Sequence, residues 1–166
     1  MTPVPEAEEP LLYGTHLPAV RLPWKWALSR LTGARSYWIA TATASADGRP
    51  HTRPVWGIWF EDAFYFSTGS QAVANLARSP EITVHLESGS EVVIVEGGAS
   101  VLADRSLIQR VVADYNAKYE WDMDADDPPG PLYEVRPRIV FGWVVDPSGL
   151  DGGSAFHATA TRWRFD

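Results

Sequence analysis

The residues of this chain best suited to chemistry are Arg53 and the run Thr68-Gly69-Ser70. Ser70 opens a segment that reads as a helix through Ser79, stopped by Pro80. Free backbone N–H groups at such a start, with the helix dipole behind them, favour an anion. Gly69 would allow close approach, and the two hydroxyls add donors. The same run also reads as a plain Ser cap after a turn. Arg53 lies in a strand pattern broken by Pro54, and its guanidinium could hold a phosphate in a bidentate way. An isolated strand Arg also reads as a solvated surface charge. A phosphate-bearing ligand needs both features to converge.

Other chemistries find little support. His16, His51, His85 and His157 are scattered, and no pair has the close helical spacing of a common metal site. No nucleophile elbow accompanies the Ser and Asp residues, so a hydrolytic triad is not expected. Asp122, Asp124 and Asp126 alternate like the opening of a calcium loop, but Asp127 stands where that loop needs Gly and Tyr133 where it needs Glu. A solvated acidic loop is the better reading. No metal ligand and no obligatory acid or base is nominated.

The elements that must position Arg53 and Ser70 follow from local patterns. Residues 1–20 are rich in Pro and Glu and read as an arm, disordered or laid along a partner surface; residues 21–166 form one domain. From Leu22 to Ala34, Leu22, Trp26, Leu28 and Leu31 fall roughly on one helical face, with Pro23 suited to the first turn and Gly33 to the stop. Strand patterns follow at 37–43, 51–60 and 63–67, with Asp47-Gly48 and Glu61-Asp62 as turns. Pro54 marks an edge, a bulge or an opening of the ladder. Two strands at 82–86 and 91–96 surround Ser88-Gly89-Ser90. Asp104 caps a helix to about Tyr119 with Leu107, Ile108, Val111, Val112 and Tyr115 on its apolar face. An acidic, Pro-rich loop at 120–131, a strand at 139–145, a Gly-rich turn and a strand at 159–165 complete the chain. Antiparallel strands with few helices predict a mainly β fold, a small barrel with helices outside.

Composition narrows the function classes. The formal charge is −7 and no Lys/Arg run offsets it, which argues against nucleic acid and against an anionic membrane surface. No apolar run approaches a membrane span, and the first residues lack the basic start of a signal peptide. The absence of cysteine removes disulfides, thiolate metal sites and a thiol nucleophile, and fits a cytoplasmic protein. Eight Trp in 166 residues fit either a β-rich core or a site for a flat ligand.

The ordered motifs give a more specific expectation. Asp47-Gly48-Arg49-Pro50-His51-Thr52-Arg53-Pro54-Val55-Trp56, then Phe64-Tyr65-Phe66-Ser67-Thr68-Gly69-Ser70, then Asn75-Leu76 through Ser79-Pro80 resemble the pyridoxamine 5′-phosphate oxidase-like split-barrel superfamily. Thr161-Arg162-Trp163-Arg164-Phe165 is similar to its C-terminal strand. More narrowly the chain resembles the flavin/deazaflavin oxidoreductases, from about Ser36 to its end.

The resemblance implies a Greek-key split β-barrel of about six or seven strands with peripheral helices, and a homodimer with cofactor sites at the subunit interface. The cofactor would be FMN or coenzyme F-420, with haem the lesser alternative, and the activity hydride transfer with a small organic substrate. A non-catalytic flavin- or haem-binding module is the alternative function. The ring would lie along Val55, Trp56 and Gly57, and the phosphate near Arg53, Thr68 and Ser70. Gln71 and Asn75 belong to the same implied site, with Trp163 or Trp143 reaching the ring from the partner. Three positions that are usually basic hold Gln71, Ala72 and Ile58 here. Each lost charge-assisted hydrogen bond weakens anion binding by roughly 1.5–3 kcal/mol, so Ala72→Lys is expected to tighten cofactor binding. Arg78 is the alternative cation on that helix. Pyridoxamine 5′-phosphate oxidase activity itself is not expected, because Arg162 and Arg164 do not reproduce its basic C-terminal substrate site.

Overall fold

Eleven strands and three helices alternate along the residues described in the computed structural model, which are 4–12, 15–16, 20–43, 48–145 and 158–166. They run Glu6–Glu8 (β1), Leu11–Leu12 (β2), Thr15–His16 (β3), Trp24–Gly33 (α1), Tyr37–Ala42 (β4), Pro50–Val55 (β5), Gly57–Phe60 (β6) and Ala63–Ser67 (β7). Then come Ala72–Arg78 (α2), Glu81–His85 (β8), Glu91–Val101 (β9), Arg105–Tyr119 (α3), Leu132–Val144 (β10) and Thr161–Arg164 (β11). Asp47, His157 and the Gly-rich turn expected near 150 lie outside the described residues.

Nine strands join one antiparallel sheet in the order β1-β11-β10-β9-β8-β4-β5, with β7 on β10 and β6 on β7, while β2 and β3 form a separate hairpin. The strand count exceeds six or seven for two reasons. The expected strand at 51–60 breaks at Trp56 into β5 and β6, and Glu6–Glu8, inside the segment read as an arm, adds to the β11 edge. There Glu8 pairs with both Arg162 and Arg164, which holds its carboxyl below the usual range, mainly through Arg162. β5 ends the path, so Pro54 lies on an edge, where its missing donor costs least.

β10 organises the split. Its first residues pair with β7, Leu132 opposite Ser67 through Val135 opposite Phe64. Its last pair with β11, from Ile139 opposite Arg164 onward, while β9 accompanies almost the whole strand. The change of neighbour coincides with a bulge at Pro137/Ile139. Gly97 sits opposite that bulge; a Cβ there would fall 2.2 Å from the Arg136 carbonyl oxygen. Only glycine fits so close a backbone approach.

The core has two parts. Tyr37, Ile39, Phe64, Phe66, Val84, Val95, Val135, Val140 and Trp163 fill the barrel, closed over by Trp24 and Leu31 of α1 and by Ala72 and Leu76 of α2. On the outer side of β6 and β7, Val111, Val112, Tyr115 and Tyr119 of α3 pack on Ile58, Tyr65 and Leu132. Asp104 caps α3, its side chain accepting from the Leu107 N–H at 3.0 Å. The opposite face of the β4–β10 sheet carries half-exposed Trp38, Ala40, Thr83, His85, Ile94 and Phe141.

Candidate functional site

The register of β4 and β5 decides where Arg53 goes. Residues directly opposite in an antiparallel pair share a face. Val55, Arg53 and His51 stand opposite Tyr37, Ile39 and Thr41, all of which face the core. Arg53 therefore lies on the barrel side of the edge strand, with an exposed side chain. Helix α2 covers the same face, because the buried Asn75 donates from Nδ2 to Thr41 Oγ1 at 2.9 Å. Asn75 is thus the pin that fixes the helix start beside β4. Asn75→Ala is expected to cost about 1–3 kcal/mol, the range for a buried polar partner left unsatisfied, read as a lower urea midpoint.

The helix start combines both sequence readings. Thr68 Oγ1 donates to Ser70 Oγ at 2.9 Å, and the Ser70 N–H donates to Thr68 Oγ1 at 3.2 Å. The Ala72 N–H donates to Ser70 Oγ at 3.3 Å, so Ser70 does act as a cap although the helix begins at Ala72. A Cβ at Gly69 would meet nothing within 4 Å beyond its chain neighbours.

Arg53 and its neighbour His51 have the chemistry to meet an anion. Arg53 has no carboxylate partner among the described residues; its Nε donates to His51 Nε2 at 3.3 Å. His51 Nδ1, which then carries the proton, is buried without a partner. These residues fit a phosphate. Among the described residues no hydrogen bond joins Arg53 to Thr68 or Ser70.

The positions of the missing cations are corrected by packing. Ala72 is fully buried in the barrel core, so in Ala72→Lys the new stem would start inside the cluster rather than at the open helix start, which argues against the expected gain in cofactor binding. Ile58 is 4% exposed and lies under α3, in the outer cluster rather than on the face of Arg53. Gln71 is exposed, with Nε2 3.4 Å from Asn75 Oδ1, and is the position from which a side chain can extend toward the helix start.

Sequence reasoning missed a second group around Trp56 and Gly57. The Gly57 N–H donates to Tyr119 Oη at 3.0 Å, and the Gly57 carbonyl accepts from Lys118 Nζ at 3.0 Å. Tyr119 also lies 2.9 Å from the Arg35 carbonyl through its hydroxyl. Lys118 donates further to Tyr37 Oη at 2.8 Å. The backbone groups of Gly57 are thus held by α3. Its lack of a side chain serves packing, since a Cβ would stand 2.4 Å from the Phe64 ring. Half-burial, then the nearby Arg35, lower Lys118 to about 8, while burial raises Tyr37. Trp56 is 45% exposed and stacks on Tyr119, centroids 4.7 Å apart at 3°. Trp121, 55% exposed, meets Trp56 edge-on at 6.0 Å. Lys118 and Arg35 lie more than eighty positions apart in the chain, a separation at which sequence offers no signal.

The remaining expected site residues divide. Val55 is half-buried against the barrel core, next to Arg53 on the same face. Trp163 does not join the site: it is 0% exposed and packs edge-on to Trp24 at 5.6 Å within its own barrel. Trp143 is half-buried on the far side of the sheet. In the acidic loop, Asp124 accepts from the Asp126 N–H and Asp126 pairs with Arg105, so these carboxylates serve turn and ion pair. Among the described residues no helix is long and apolar enough to cross a membrane.

Comparison with known proteins agrees with this architecture. A conserved hypothetical protein of Mycobacterium tuberculosis superposes with TM-score 0.63 at 21% identity, over 76% of this chain and 86% of that one. An F-420 reductase gives TM-score 0.52 at 20% identity, over 68% and 93%. The heme storage protein HutZ of Vibrio cholerae gives 0.50 at 15%, over 69% and 86%. No curated protein matches the sequence. A family model described as pyridoxamine 5′-phosphate oxidase matches residues 29–163. With that match spanning most of the sequence and a split barrel beneath it, the chain belongs to the pyridoxamine 5′-phosphate oxidase family.

Proposed function

We propose that this protein is a cytoplasmic homodimeric oxidoreductase that binds FMN or coenzyme F-420 and exchanges hydride with a small organic molecule. The observation that carries the reading is Arg53, a cation without a carboxylate, set on the face that α2 covers beside the unpartnered His51 Nδ1. Arg53, His51, Thr68 and Ser70 would hold the phosphate, with Val55 and Trp56 along the ring. When bound, such a cofactor supplies hydride transfer without needing a side-chain acid or base. The protein's part is to bind, orient and exclude water. The partly exposed apolar face of Trp38, Ala40, Ile94 and Phe141 suits a second copy of the chain. The oxidase activity that gives the family its name is not part of this reading, since Arg162 and Arg164 are both engaged by Glu8.

Arg53→Ala is expected to weaken FMN or F-420 binding at least about tenfold, the worth of one charge-assisted hydrogen bond, while the fold persists. A tryptophan-quenching titration of both proteins reads this directly. Unchanged affinity removes Arg53 from the site. The second reading, a non-catalytic module for haem, draws on the likeness to the heme storage protein and on His85. His85 Nδ1 donates to the Leu86 carbonyl at 2.9 Å, so Nε2 keeps its lone pair for a metal. Parallel titration with FMN, F-420 and haem, followed by reduction and reoxidation of whatever binds, separates the two.

A further inference from the structure

Two cations share the neighbourhood of Tyr119, and among the described residues neither pairs with a carboxylate. Lys118 Nζ lies 5.4 Å and Arg35 Cζ 5.6 Å from the centre of the Tyr119 ring. Elsewhere the pairing is routine: Arg30 holds Glu91, Arg105 holds Asp126, Arg110 holds Glu61 and Arg138 holds Glu81. The sequence has 21 acidic residues against 14 Lys and Arg, so partners are in surplus. Glu120 and Asp122 flank the spot in sequence, yet neither comes within ion-pair distance of Arg35 or Lys118. Arg35 Nη1 also reaches the Lys118 carbonyl at 3.5 Å, and two like charges set about one ring favour an anion beside them.

The same ring backs an aromatic corner. Trp56 stacks flat on Tyr119, and Trp121 stands against Trp56 at 81°. Floor and wall are both about half exposed, although large apolar side chains usually bury. Lys118 is oriented by two acceptors, Gly57 O and Tyr37 Oη, which leaves its third N–H for a ligand. Arg35, exposed, brings a planar fork that matches a carboxylate.

We propose that Arg35, Lys118, Trp56 and Trp121 form a binding site for a planar aromatic carboxylate, the ring lying in the tryptophan corner and the anion between the two cations. Because Trp56 follows Val55 directly and is proposed to lie along the cofactor ring, this molecule is the substrate class of the oxidoreductase. That role rests on the function proposed above; the binding itself does not.

Calorimetric titration of the full chain with 2-naphthoate and its neutral analogue 2-naphthamide tests the site without any cofactor. The acid is expected to bind at least about tenfold more tightly, as one or two charge-assisted hydrogen bonds require. Arg35→Met and Lys118→Met should each reduce that preference severalfold, Lys118→Arg should keep it, and Trp121→Ala should weaken both ligands alike. The preference should also fall as pH rises through about 8, where Lys118 loses its proton while the surrounding Tyr37 and Tyr119, both raised by burial, stay neutral. Equal affinity for acid and amide, binding of neither, or a preference untouched in Arg35→Met overturns the site. Arg35 is exposed, so that variant folds even if Lys118→Met does not. FMN and F-420 titrations of the same sample report on the cofactor alone: cofactor binding without acid preference sinks only this inference. Acid preference without cofactor binding keeps the site and removes its role as a substrate site.

Discussion

Trp163→Ala is expected to lose roughly 3–5 kcal/mol of stability, the cost of emptying a large aromatic from a closed core, while cofactor affinity stays within about twofold. The residue is 0% exposed, lies edge-on to Trp24, and touches Gly142, where a Cβ would come 2.9 Å from its ring. β11 brings it in opposite Val140, so it closes the barrel beneath α1. A ligand contact would behave in the opposite way, with affinity falling and the fold intact. Urea unfolding followed by circular dichroism should show a lower midpoint at constant slope, the mark of a stability change alone. A variant as stable as the parent that binds FMN weakly would return Trp163 to the site.

The second large effect separates two neighbouring positions. Ala72→Lys should destabilise by about 3 kcal/mol or more, because an ammonium on a fully buried stem must be desolvated or drag the helix outward. For a domain of this size that is roughly 6–12 °C in Tm. Gln71→Lys, one residue earlier and exposed, should leave Tm nearly unchanged and tighten FMN severalfold by adding a cation beside Thr68 and Ser70. Thermal melts and quenching titrations on both variants decide it. If Ala72→Lys folds normally and binds more tightly than Gln71→Lys, α2 is turned the other way.

Most elements were legible because each depends on near neighbours. Asp104 and the apolar spacing of Leu107, Val111, Val112 and Tyr115 define α3; the alternation of Tyr37, Ile39 and Thr41 defines β4. Of the three readings of Pro54 (edge, bulge or opening of the ladder), the structure has the edge. The first half of β10 was missed because Glu134, Arg136, Pro137 and Arg138 spoil its alternation. Glu134 is nevertheless buried, satisfied by Tyr65 Oη at 3.0 Å and by Arg136. Hydrogen bonds to partners that arrive only with the fold override a local pattern. The candidate site divides along the same line. Arg53 and Ser70 were legible as residue types, and their shared face follows from register. The places of Ala72, Ile58 and Trp163 were not, because side-chain direction depends on where α2 starts and on what β6 and β11 pack against. The Arg35–Lys118 pair joins the start of β4 to the end of α3, and no local pattern connects those segments.

The thirteen residues of β10 carry a consequence for synthesis. They pair with β7, β9 and β11, all but the last of which leave the ribosome earlier. Until β10 emerges, β7 and β9 each keep an unpaired edge, and Phe64, Phe66, Val93 and Val95 have no lid across the barrel. Closure waits on late, distant contacts, which makes folding slow and exposes open strands to other chains. A nascent chain stalled before Leu132 should therefore bind holdase chaperones strongly, and one extended past Phe165 should release them.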